Sequence, residues 1–158
     1  MRNNLKKLIM LGLMVMVLSV MSLMAQAGCS SGCGTFSNGL INIDKLDVEV
    51  NDVDLSTSDS KELEKTDELD VLVVIKTNAS VNDVQIFAEL TGYDKSDRQK
   101  VSDETDNFDV VAGTVYDERL QLELPVRFEQ GSYALKIRIE TKDGTFTTLY
   151  PVSINGEE

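Results

Sequence analysis

Six acidic residues between Asp94 and Asp109 are the candidate ligands for a cation in this chain. Within them, Asp103-Glu104-x-Asp106-x-x-Asp109 offers four carboxylates that could converge on one ion. Calcium takes about six to eight oxygen ligands, and an acidic loop can supply them. The spacing is not that of the helix-loop-helix calcium loop, which has a glycine at a fixed place. In so acidic a protein, the same run also reads as a solvated loop.

The only cysteines, Cys29 and Cys33, lie in Gly28-Cys29-Ser30-Ser31-Gly32-Cys33-Gly34. Two cysteines in an exported chain read first as a disulfide. The glycines and serines would let so short a loop close. Ala27-Gly28-Cys29 also resembles the end of a bacterial lipobox, with Gln26 where leucine is usual. Cys29 would then carry acyl chains and Cys33 would stay unpaired. A zinc site would need at least two more ligands.

The sequence has no histidine. That removes the commonest general base, metal ligand and triad member. Serines and threonines therefore have no imidazole to activate them. A glycosidase-like pair of carboxylates would need a cleft and unequal environments, and no pattern here indicates one. No catalytic site emerges. Asn78-Ala79-Ser80 matches the N-glycan acceptor pattern on a predicted turn.

What precedes the cysteines sets the compartment. Arg2, Lys6 and Lys7 give a positive start, and Leu8 to Ala25 is apolar apart from Gly12, Ser19 and Ser22. Ala25-Gln26-Ala27 has the small residues a signal peptidase reads. Residues 1–27 are thus expected to be an export signal. Cleavage after Ala27 gives a released protein and cleavage after Gly28 a lipoprotein. An uncleaved anchor is the third reading, the run being just long enough to span. All six methionines fall in this segment and read as apolar filler rather than a soft-metal site.

The signal carries three of the 15 basic residues and none of the 27 acidic ones. The remainder has 12 basic residues and a net charge of −15. That excludes a basic nucleic-acid footprint and a polybasic membrane patch. It favours solubility, and it leaves cation binding open.

Residues 28–40 read as a Cys/Gly/Ser-rich linker and 41–155 as one domain of strands. Leu46 to Leu55 alternates, with a bulge at Asn51-Asp52; Ser56 to Glu68 reads as a loop. Leu69 to Thr77 is apolar on both faces, as a central strand would be. Val84 to Leu90 alternates with one wet face. Gly92 to Asn107 is a polar loop, and Phe108 to Ala112 a short extended piece. Leu120 to Leu124 ends at Pro125. Tyr133 to Ile139 leads through a Lys142-Asp143-Gly144 hairpin to Phe146–Ile154. Pro151 in the last strand argues for a sheet edge. About seven strands with regular turns indicate an all-β, antiparallel two-sheet sandwich.

Gly131-Ser132-Tyr133-Ala134-Leu135-Lys136-Ile137-Arg138-Ile139 resembles the tyrosine corner of immunoglobulin-like domains. Asn82 to Leu90 resembles their third strand. In strand order and length, Leu46 to Ile154 is similar to the adhesion-related (CARDB-type) immunoglobulin-like modules of exported prokaryotic proteins. The resemblance implies a structural role for Tyr133. It also implies a surface or envelope module working by contact with other proteins or with copies of itself. The sequence departs from antibody domains in having no inter-sheet cysteine pair and no tryptophan. The expectation is a non-catalytic exported protein with no cofactor. The alternatives are calcium or solute binding at the acidic loop and, more remotely, a carboxylate enzyme acting on surface polymers.

Overall fold

The computed structural model describes residues 35–37, 43–92, 100–126 and 128–156. The export signal, Cys29 and Cys33 lie outside them. Among the described residues there are eleven strand segments and no helix.

Six long strands build the body: β2 (Ile43–Val50), β5 (Glu68–Thr77), β6 (Val81–Thr91), β9 (Val115–Glu123), β10 (Gly131–Thr141) and β11 (Gly144–Asn155). Five short ones complete it: β1 (Thr35–Ser37), β3 (Val53–Asp54), β4 (Lys61–Glu64), β7 (Ser102–Glu104) and β8 (Phe108–Val110). One sheet runs β1-β11-β10-β6-β7, with β4 also on β11 and β8 also on β6. The other runs β3-β2-β5-β9. Strand neighbours β2-β5-β9 facing β6-β10-β11 give the immunoglobulin-like order. The protein is an all-β two-sheet sandwich of that class.

Period-two alternation is the cause. Along β5, Leu69, Val71, Val73 and Ile75 are buried while Asp70, Leu72 and Val74 are half-buried. Register then lines the inward residues into rows. Leu90, Leu135 and Tyr150 form one row across the first sheet, and Ile86, Ile139 and Phe146 another. Val50, Val71 and Leu120 form a row across the second. Burying each such side chain contributes about 1.5–3 kcal/mol, so the two sheets clamp one continuous core.

Several expectations change. Asn51 and Asp52 both have positive φ (49° and 65°). They form a two-residue hairpin, not a bulge, and Val50 pairs with Val53. Asparagine and aspartate tolerate that region. Asn51 also exchanges hydrogen bonds with Asp70: its N–H donates to Asp70 O at 3.0 Å, and its Oδ1 accepts from Asp70 N–H at 2.9 Å. The loop read at 56–68 contains β4, which pairs parallel with β11 and buries Leu63. The polar loop after Gly92 contains β7, anchored by buried Val101. Thr35–Ser37, read as linker, pairs with β11. At the last hairpin the turn residues are Lys142 and Asp143, without positive φ, and Gly144 already pairs with Thr141.

Candidate contact surface

Pro151 was expected at a sheet edge, but β11 is covered on its outer side at both ends. β1 pairs Thr145 to Thr147, and β4 pairs Val152 to Asn155. Between them, Thr148, Leu149, Tyr150 and Pro151 have no strand partner on that side among the described residues. Among the described residues, this leaves a four-residue notch between β1 and β4. Pro151 has no N–H to give, so it fits the ladder with its nitrogen turned away from β10. Alternation then puts the Leu149 N–H and C=O on the same outer side. Leu149 is 54% exposed, on the outer face of the sheet. Thr148 and Tyr150 point inward and are buried. Both hydroxyls lack a well-formed hydrogen bond, and the Thr148 side chain is close enough to act on the Tyr150 phenol. Burial pushes the Tyr150 phenol up to about 12.

The outer face beside the notch is a charged lattice. Arg138 stacks on the Phe87 ring, 4.1 Å from its centroid, and pairs with Glu140 at 2.6 Å. Glu89 receives Lys136 at 3.4 Å and Lys100 at 3.8 Å. A shallow depression of about 150 Å³ lies over this group. Such exposed pairs contribute little stability each.

The acidic candidates do not gather. Asp103 lies in β7, and its carboxylate accepts the Gln121 N–H of β9 at 2.8 Å. Asp109 lies in β8 and accepts the Asp83 N–H at 3.1 Å. Asp83 has a positive φ of 55° and lies where the β6–β8 register shifts between Val81 and Val84, so Asp109 braces a bulge in β6. Glu104 is the last residue of β7, on the Phe87 side, and Asp106 is in the following connection. Among the described residues no three metal-ligating side chains cluster. Asp94 and Asp97 lie outside the described residues. Asn78 is exposed on the β5–β6 turn, and the Ser80 hydroxyl of its motif accepts the Ala112 N–H at 3.1 Å.

Tyr133 is half-buried at the start of β10, with its ring 4.8 Å from that of Phe128. Its hydroxyl donates to Glu129 O at 2.6 Å, four residues upstream. Burial first, and the Glu129 charge second, raise its pKa. Lys65 Nζ reaches Phe128 O at 2.7 Å, and Leu124 N–H reaches Asp67 O at 2.9 Å. The connection between β9 and β10 is thus tied to the β4–β5 loop. Tyr133→Phe keeps the ring and removes one hydrogen bond. The expected loss is about 1 kcal/mol, read as a lower urea midpoint with an unchanged slope.

No protein-family model matches the chain. No curated protein matches either. Solved structures similar to it include a Niemann-Pick type C2 protein from Japanese carpenter ant. That likeness has 11% identity and a TM-score of 0.48, over 77% of this chain and 99% of that one. The C-terminal domain of wzt is similar at 14% identity and TM-score 0.49, over 79% and 80%. The ligand binding region of Serine-glutamate repeat protein A (SgrA) of Enterococcus faecium is similar at 16% identity and TM-score 0.32, over 70% and 98%. Identities this low carry no role across, and the class of fold rests on this chain's own strand order.

Proposed function

We propose that this chain is an exported, non-catalytic immunoglobulin-like module, of the adhesion-related CARDB kind. It works at the cell surface or envelope by contact with other surface proteins or with copies of itself. The observation that supports this reading is the notch on β11. There, among the described residues, a short stretch of β11 backbone between β1 and β4 has no strand partner on its outer side, with a half-exposed leucine beside it. Strand addition takes its affinity from main-chain hydrogen bonds and its selectivity from the flanking side chains. The membrane enters only through a lipid on Cys29 or an uncleaved anchor.

Sedimentation velocity on the chain from Gly28, with chelator present, tests the contact. The expected result is reversible, concentration-dependent association, at least about tenfold weaker in Leu149→Pro, which removes one outward N–H. A parent chain that stays monomeric over the whole concentration range overturns the reading.

A further inference from the structure

We infer that the outer edge of β9 is a second contact, one that pairs with β9 of another copy about a two-fold axis through Asp117. This contact lies apart from the one on β11, and either can fail without the other.

β9 is the last strand of the second sheet. In an antiparallel pair, the N–H and C=O of one residue point to the same side, and the side alternates along the strand. The Gln121 N–H goes to the Asp103 carboxylate at 2.8 Å, so it points away from β5. Arg119, Asp117 and Val115 therefore also turn their N–H and C=O outward, while Leu120, Glu118 and Tyr116 bond to β5. No strand lies on that outer side among the described residues. The stretch is closed at both ends. Asp103 occupies the Gln121 N–H, and before Val115 the chain folds back, with the Thr114 N–H on Val111 O at 3.1 Å.

What is left, Val115 to Arg119, is symmetric about Asp117. A second copy laid antiparallel on it uses every outward group only when the axis passes through Asp117. Val115 of each copy then lies opposite Arg119 of the other, and Asp117 lies opposite its own counterpart. Each such pair exchanges two N–H···O bonds, about six in all. Two four-stranded sheets become one. The side chains of these three residues share the outer face and are exposed. Val115, 52% exposed, packs against the aliphatic stem of Arg119. The two Asp117 carboxylates face each other, which costs, since like charges directly opposite are destabilising. Arg119, the one basic residue of β9, stands diagonal to Asp117 of the other copy, within reach of a long side chain. Its bond to Asp70 at 2.8 Å is an exposed pair, so turning from it forfeits little. The edge is thus complementary to itself, as a two-fold interface requires.

Amide NMR on the Leu149→Pro chain from Gly28, with chelator present, tests this, because that variant weakens the contact on β11. Spectra are compared from about 0.05 to 1 mM, the range in which a contact this small associates. The Val115, Asp117 and Arg119 amides are expected to shift with concentration, and the Tyr116, Glu118 and Leu120 amides to stay nearly still. Asp117→Pro removes the outward N–H on the axis, as an edge strand tolerates, and abolishes the shifts at Val115 and Arg119. Arg119→Glu leaves the backbone intact and weakens the association about tenfold, while Asp117→Asn tightens it. β9 amides that do not move with concentration overturn the inference. So does an Arg119→Glu variant that associates as tightly as its parent. Failure of the contact on β11 would show separately, as association that Leu149→Pro does not weaken.

Discussion

Tyr150→Ala is expected to lower stability by about 3–5 kcal/mol, the cost of deleting a large core side chain without collapse of the site. Tyr150 is 2% exposed and closes the row begun by Leu90 and Leu135. Its neighbours are strands held in register on both sheets, so they have little freedom to fill the space. Small domains are stable by only about 5–15 kcal/mol, so the variant would sit close to unfolding at room temperature. Tyr150→Phe separates the ring from the hydroxyl. The hydroxyl makes no well-formed hydrogen bond, so its removal is expected to be neutral or slightly stabilising. Urea titration of the two variants beside the parent checks both. A loss above about 2 kcal/mol in Tyr150→Phe would mean that the hydroxyl is satisfied, and the account of the notch interior would then be wrong.

The long strands were legible because alternation is a local signal. Leu69 to Thr77, Val84 to Leu90 and Tyr133 to Ile139 show their buried faces in the residue types alone. The short strands were not, because pairing makes them. Lys61–Glu64 has a single apolar residue, Leu63, and becomes a strand only because β11 lies beside it. Ser102–Glu104 is polar throughout and is held by β6 and by buried Val101. The acidic run misleads for a related reason. A carboxylate that ligates a cation and one that accepts a backbone N–H are the same residue type. Only the fold shows that Asp103 turns to Gln121 and Asp109 to Asp83. The notch could not be read at all, since it is a relation among segments at 35–37, 61–64 and 148–151. Pro151 was its one trace. The proline pointed to an edge, whereas β11 is partnered on its outer side at 145–147 and 152–155, and only 148–151 lack an outer partner among the described residues.

Alkaline pH is expected to destabilise the protein through the same side chain. Tyr150 holds its proton up to about 12, first because burial disfavours the phenolate and then because Asp47 adds negative charge nearby; contact with Thr148 opposes the rise. In the unfolded chain a tyrosine releases its proton near 10. Between about pH 10 and 12 the unfolded state therefore binds fewer protons than the folded one, and stability falls as pH rises. The contribution is fully present below about pH 10 and is lost through about pH 12, on the order of 3 kcal/mol in all. Tyr133, also raised, acts in the same direction. Lysines titrate over the same range, so the informative quantity is the difference between the parent and Tyr150→Phe. Urea midpoints at about pH 8, 10 and 11.5 should show the parent losing ground to the variant as pH rises. Parallel curves would mean that Tyr150 ionises as readily in the folded protein as in the unfolded one. That would require water or a donor to reach the hydroxyl through the notch.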